Sequence, residues 1–129
     1  MAVSRKALKV STGDAVGILE KVCGALAGKN VNIEAIAAYG QEGKAFFYLI
    51  TSDNDLAEEA ISELGYNMEE REMVVMELPD EVGQLKIVAE KVAKAGINLT
   101  YIFGSISRDS KSAMIIMNSD NNKKLLEIL

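Results

Sequence analysis

Two short phrases concentrate the residues of this chain that could hold a small molecule. Residues 78–99 read LPDEVGQLKIVAEKVAKAGINL, and residues 13–33 read GDAVGILEKVCGALAGKNVNI. In the first, Asp80, Glu81, Val82, Gly83, Gln84 and Leu85 lead into an amphipathic run, and Asn98 and Leu99 follow it. In the second, Asp14, Ala15, Val16 and Gly17 precede the run and Asn32 follows it. A helix start leaves backbone N–H groups unpaired at the positive end of the helix dipole, which suits a carboxylate. In the first phrase those groups belong to Val82, Gly83, Gln84 and Leu85, and Gly83 has no Cβ to keep a ligand from the backbone. Asp80 or a carbonyl can accept from an ammonium. Asn98 both donates and accepts, and could bridge the two groups across an interface.

Each of these residues also has a plainer reading. Asp14 and Asp80 serve equally well as helix N-caps. Gly17 and Gly83 could simply allow close packing of helix on sheet, and Asn32 and Asn98 could hydrogen-bond a turn. Cys23 lies on an apolar helical stripe and reads as a core residue rather than a reactive one. The six methionines read as core filler, and Glu69-Glu70-Arg71-Glu72 reads as a solvated strand connection.

The composition removes several chemistries. The 129 residues contain no histidine, so Ser-His and Cys-His nucleophile pairs and the usual zinc clusters are excluded. No HExxH, EF-hand or P-loop spacing occurs. No catalytic residue, metal site or cofactor is expected. A net charge of −5 argues against a nucleic-acid partner and against an anionic membrane surface. A single cysteine, no signal-like N-terminus and no apolar run long enough for a membrane span fit a cytoplasmic protein.

The elements that must position these residues occur twice. Asp14-Ala-Val-Gly17-Ile-Leu19 aligns with Asp80-Glu-Val-Gly83-Gln-Leu85, and the register holds through Val22/Val88, Ala27/Ala93 and Asn32/Asn98. Farther on, Ser52-Asp53-Asn54 aligns with Ser119-Asp120-Asn121. Strands are predicted at 7–10 and 73–76. Helices follow with Leu19, Val22, Cys23 and Leu26, or Leu85, Val88, Ala89 and Val92, on their apolar stripe, and end at Gly28-Lys-Asn30 and Ala95-Gly96. Strands start again at Val31 and Ile97, turn at 40–43 and 108–110, and return at 45–50 and 113–117. Second helices at 57–64 and 123–129 take Asp55, and Asn121 or Asn122, as caps. Residues 66–70 make a fourth strand of the first copy.

The order βαββαβ, twice, specifies an α+β sandwich of two ferredoxin-like repeats, each an antiparallel sheet with helices on one face. The repeats span residues 1–70 and 71–129, and the second stops before its last strand, so its edge either stays open or is supplied by a partner. Ala45-Phe-Phe-Tyr-Leu-Ile50 does not alternate in polarity, so both faces of the sheet need cover. Phe47 and Leu49 are assigned to the face away from the helices, and a homodimer packing sheet on sheet would cover it.

The copies resemble ACT domains, small βαββαβ regulatory modules that bind amino acids. The resemblance rests on Pro79-Asp-Glu-Val-Gly83-Gln-Leu85 and Ala93-Lys-Ala-Gly96-Ile-Asn98-Leu99, and in the first copy on Asp14, Gly17, Leu19 and Asn32. The first copy departs at Asn30, where the family usually has glycine, and Val16 and Val82 replace a common proline. The resemblance covers nearly the whole chain and implies a stand-alone tandem ACT protein. By that correspondence a small amino-acid effector sits between the loop before the first helix of one copy and the start of the second strand of its neighbour. It would contact Asp80 and Asn98, or Asp14 and Asn32, and the chain would act on a regulated enzyme or regulator. Two alternatives stand beside this reading. One is a protein-interaction or dimerisation scaffold that has lost the ligand. The other is an acylphosphatase-like enzyme, which is disfavoured because Arg5, Arg71 and Arg108 lie in no phosphate-cradling loop.

Overall fold

The computed structural model describes residues 2–106 and 111–129. The turn expected at 108–110, with Arg108, lies outside the described residues. In chain order the elements are β1 (Ala2–Gly13), α1 (Ile18–Gly28), β2 (Ile33–Gln41), β3 (Lys44–Thr51), α2 (Asn54–Ser62), β4 (Asn67–Pro79), α3 (Gln84–Lys94), β5 (Leu99–Ile106), β6 (Ser112–Ser119) and α4 (Asn122–Ile128).

The chain divides into two compact units. Repeat 1 runs from Lys6 to Arg71. Repeat 2 runs from Glu72 to Leu129 and also takes the first residues of the chain, through Arg5. Repeat 1 has strand order β2-β3-β1-β4, and repeat 2 has β5-β6-β4-β1. The long strands β1 and β4 therefore each serve both units. The acidic run at 69–72, expected as a connection, lies within β4. The edge of repeat 2 that the sequence left open is filled by β1, whose Ala2 packs on the repeat 2 core and whose Ser4 hydroxyl donates to the Glu72 carboxylate.

In repeat 1 the core joins Leu8 and Val10 of β1 and Phe47 and Leu49 of β3 to Ile18, Val22 and Leu26 of α1 and Ala57 and Ile61 of α2. In repeat 2 Val74, Met76, Ile115 and Met117 meet Val88 and Val92 of α3 and Leu125 of α4. Phe47 and Leu49 thus face the helices, contrary to the expected assignment, because strand side chains alternate and the helix-facing parity falls on odd positions of β3. Tyr48, Ile50, Met73, Val75 and Ile116 occupy the opposite parity and are also buried. The sheet-on-sheet homodimer loses its premise, since these apolar residues are already withdrawn from solvent in the single chain.

Of the expected helix stripes, Val22 and Leu26 and their counterparts Val88 and Val92 are buried, and the rest are not. Ile18, Val22 and Leu26 are buried in α1, whereas Leu19 and its counterpart Leu85 stay half exposed, at 54% and 48%. Cys23 is only partly buried. Both α1 and α3 end in a Schellman motif. Val31 N–H donates to the Leu26 carbonyl (2.9 Å) and Asn30 N–H to Ala27 (3.0 Å), while Ile97 N–H donates to Val92 (3.2 Å) and Gly96 N–H to Ala93 (3.0 Å). The left-handed residue is Asn30 (φ 57) in one and Gly96 (φ 69) in the other. The departure at Asn30 therefore preserves the geometry, because asparagine tolerates positive φ.

The second helices are capped by Asp53, which accepts from Leu56 N–H, and by Asn121, which accepts from Lys124 N–H. The expected cap Asp55 instead lies inside the first turn of α2. These caps align Ser52, Asp53 and Asn54 with Asp120, Asn121 and Asn122, one residue beyond the expected register. The side chains agree: Asn54 donates to the Lys6 carbonyl and accepts from Thr51, and Asn122 donates to the Glu72 carbonyl and accepts from Ser119.

Candidate functional site

Helices α1 and α3 are entered in the same way. The residue before each, Gly17 (φ 90) or Gly83 (φ 88), is left-handed and stands at the N-cap without a side-chain capping bond. Its carbonyl takes the first helical hydrogen bond, from Lys21 N–H (3.1 Å) or Ile87 N–H (3.2 Å). The expectation that Asp14 and Asp80 are N-caps is overturned. The chain turns sharply between strand and helix, a glycine with positive φ takes the cap position, and the aspartate is left three residues upstream.

The aspartates are held by their backbones. Asp14 N–H donates to the Gly43 carbonyl (2.9 Å) and Asp80 N–H to the Lys111 carbonyl (2.8 Å). This tie leaves the side chains available. The Asp14 carboxylate lies against Gly40, where a Cβ would stand 2.9 Å from Oδ2. Next to Asp80, Gln84 N–H bonds the Glu81 carbonyl at 3.4 Å, which closes the turn. The amides of Leu85 and Lys86 that follow have no intrahelical acceptor.

In repeat 2 this helix start borders a cavity of about 510 Å³. Leu78 and Pro79 end β4 on one side, Asp80, Glu81, Gln84 and Leu85 form the rim, and Ile102, Phe103, Gly104, Ser105, Ala113 and Ile115 line the β5–β6 hairpin. Repeat 1 has a counterpart of about 290 Å³ at Asp14, Ala15, Gly17, Ile18 and Leu19, walled by Ala38, Tyr39, Ala45, Phe46 and Phe47. Four of the expected repeat 2 site residues, Asp80, Glu81, Gln84 and Leu85, thus share one cavity. Val82 and Val16 project from their turns fully exposed, and Gly83 supplies the bend.

Asn98 and Leu99 lie elsewhere within the repeat. Leu99 pairs with Ser119 at the far end of β5, whereas Gly104 pairs with Ile115 beside the cavity, a separation of roughly 16 Å along the strand. Asn98 N–H donates to the Asp120 carboxylate (3.1 Å) and its carbonyl accepts from Asp120 N–H (3.0 Å). Asn32 repeats the arrangement with the Ser52 hydroxyl and amide, both at 2.9 Å. These bonds run through the backbones of the asparagines, not their side chains, and tie the helix–strand connection to the residue before the cap of the second helix, so neither asparagine meets the aspartate of its own repeat.

Sequence reasoning missed the hairpin half of the cavity. Its one legible signal was Gly104 inside the apolar strand Tyr-Ile-Phe-Gly-Ser-Ile, since a glycine within a strand marks a close approach. A Cβ there would come within 2.6 Å of Ile115 Cδ1 and 3.0 Å of the Met114 carbonyl.

A family model of the ACT domain matches residues 6–66. The likeness to an ACT domain is thus to residues 6–66, slightly under half of the chain. The match falls on repeat 1, the copy with the sparser motif, and the ACT-type architecture recurs in repeat 2. Among solved structures, a protein from Bacteroides thetaiotaomicron superposes with a TM-score of 0.91 at 23% identity, over 99% of this chain and 88% of that one. The regulatory subunit of aspartate kinase from Thermus thermophilus, in its ligand-free form, gives 0.69 at 18% identity over 99% and 94%. Its counterpart from Thermus flavus gives 0.60 at 20% over 98% and 93%. A search of curated protein sequences gave no match. These likenesses, at 18–23% identity, show the fold. Among the described residues no group of three or more acidic or cysteine side chains could hold a metal ion, and no helix is long and apolar enough to cross a membrane.

Proposed function

We propose that the chain is a non-catalytic sensor that binds a free amino acid at the start of a first helix of an ACT repeat and passes that binding on to a partner enzyme or regulator. The observation that carries this reading is the repeat 2 cavity. Its lining includes the helix-start residues Gln84 and Leu85, the acidic residues Asp80 and Glu81, and an apolar wall, which supports the reading. A zwitterion needs donors for its carboxylate and acceptors for its ammonium a bond or two apart, and the Leu85 amide at the positive end of α3 with Asp80 and Glu81 would supply that pair. The aspartate kinase regulatory subunits that share the fold supply the analogy for a separate enzyme partner.

A cytoplasmic homodimer remains part of this reading, on surfaces other than the buried sheet faces. Strand β2 of repeat 1 and β5 of repeat 2 are outermost in their units, with Ile36, Tyr39 and Ile102 exposed. Unpaired edge strands with apolar side chains invite pairing with a second copy. That pairing could bring an Asn98 or Asn32 to a cavity from which its own repeat keeps it apart.

A thermal-shift screen of the twenty amino acids tests the proposal, because selective binding to the folded chain raises its melting point. At least one amino acid is expected to give a saturable rise. A flat response to all twenty at millimolar concentration defeats the sensor reading and selects the interaction scaffold, which the narrower repeat 1 cavity also favours. Light scattering with and without the active amino acid reports the assembly state.

A further inference from the structure

We infer that the ligand seat is confined to repeat 2, takes one molecule per chain, and is shaped for an amino acid with an aliphatic side chain; the inference rests on the amino-acid-binding reading above. The duplication provides an internal control, because one backbone plan carries two linings. The strand ladders fix the correspondence. Ala38 pairs with Phe47 in repeat 1 as Gly104 pairs with Ile115 in repeat 2, and the aspartate amides bond the equivalent carbonyls of Gly43 and Lys111.

Leu78, Pro79 and Phe103 stand for the smaller Thr12, Gly13 and Ala37, but four other positions are smaller or more polar in repeat 2. Gly104 stands for Ala38, Ser105 for Tyr39, Ile115 for Phe47 and Gln84 for Ile18. In repeat 1 the Tyr39 ring stacks on Phe46 with centroids 5.2 Å apart on the face away from the helices, at the edge of the hollow, while Phe47 stands on the helix side. The Phe47 ring takes up helix-side volume that the smaller Ile115 leaves open in repeat 2, consistent with cavities of about 290 and 510 Å³. The charges differ as well. Repeat 2 has Asp80 and Glu81 at the rim, whereas repeat 1 has only Asp14, turned onto Gly40.

The lining then sets the class of side chain. Beyond the rim the wall is Ile102, Phe103, Ala113 and Ile115, and none of the described lining residues is basic. A ligand carboxylate beyond the α-carboxylate would face Asp80 and Glu81 and find no counter-charge. A basic side chain would reach an apolar floor and lose its hydration. An aliphatic chain of three or four carbons loses nothing there and gains about fourfold in affinity for each methylene buried.

The test is calorimetric titration of the full chain with free L-leucine, L-isoleucine, L-valine, L-alanine, L-aspartate and L-lysine. The expected result is one site per chain, with the best branched aliphatic amino acid on the order of 50-fold tighter than alanine, which lacks up to three of its carbons. Two variants locate the site. Ser105→Tyr installs a side chain that the equivalent backbone already carries in repeat 1, at an exposed position, and should weaken binding at least 10-fold with the unliganded melting point unchanged. Tyr39→Ser, the reverse exchange, should leave binding as it was. Two equivalent sites, tightest binding of aspartate or lysine, or loss of binding in Tyr39→Ser but not in Ser105→Tyr would each overturn the inference while leaving an amino-acid sensor in place. Absence of any binding removes the sensor reading itself.

Discussion

Replacing Gly83 by alanine separates backbone conformation from packing at the entrance to the candidate site. Gly83 has φ 88, and no heavy atom lies within 4 Å of the place its Cβ would occupy. The cost of alanine is therefore conformational. Forcing an L-residue into the left-handed region costs about 1–2 kcal/mol, offset by about 0.4–1 kcal/mol because alanine restricts the unfolded chain. A net loss of about 1 kcal/mol follows. With a urea slope of about 1–3 kcal/mol per M, the unfolding midpoint should fall by roughly 0.5 M at constant slope. Gly83→Asn should lose less, since asparagine accepts positive φ and Asn30 already holds φ 57 in this chain. Urea titrations followed by circular dichroism measure all three proteins. An unchanged or raised midpoint for Gly83→Ala would refute the argument that positive φ fixes this turn. A loss above about 3 kcal/mol would show a steric clash where the structure has open space.

Other expectations concern neighbouring parts of the frame. Asn30→Gly should raise stability by a few tenths of a kcal/mol in a thermal melt, and Asn30→Val should lower it by about 1 kcal/mol, because only the left-handed position at the end of α1 is affected. Asn122 accepts from the Ser119 amide (2.9 Å) and hydroxyl (2.8 Å) and donates to the Glu72 carbonyl (3.1 Å). Asn122→Ala should cost about 1–2 kcal/mol in chemical unfolding, and Asn122→Asp, which keeps the acceptor and loses the donor, should fall between. Met117 is fully buried in repeat 2, so Met117→Ala should cost about 3 kcal/mol by the same assay. Raising salt to 1 M should hardly move the melting point, because the Lys6–Glu70 and Lys86–Glu90 pairs are solvent-exposed and such pairs contribute under about 1 kcal/mol.

Local signals settled the repeated βαββαβ order, the helix stops at Asn30 and Gly96, and the placing of Asp80, Glu81, Gln84 and Leu85 at one helix start. Each of those features depends on residues close in sequence: a glycine that permits positive φ, an apolar residue every third or fourth position, a turn residue between strands. The same phrases misassigned the caps, because the choice between Asp14 and Gly17 turns on how sharply the chain bends, and that is set by where the strand docks.

Three features waited for the tertiary structure. Phe47 and Leu49 face the helices because a one-residue change in strand register exchanges the two faces, and an unbroken apolar strand carries no marker of which is which. The open edge of repeat 2 is filled by the start of β1, a pairing between residues about seventy positions apart that no local pattern encodes. The cavity exists because Gly104, Ser105 and Ile115, scattered over a hairpin, meet a helix start some twenty to thirty residues away, and the volume left between them is a property of packing rather than of any one segment. The sequence alone determined the elements and their duplication; the docking of strands distant in the chain decided which faces are dry, which edge is closed and which of two equivalent hollows is the wider.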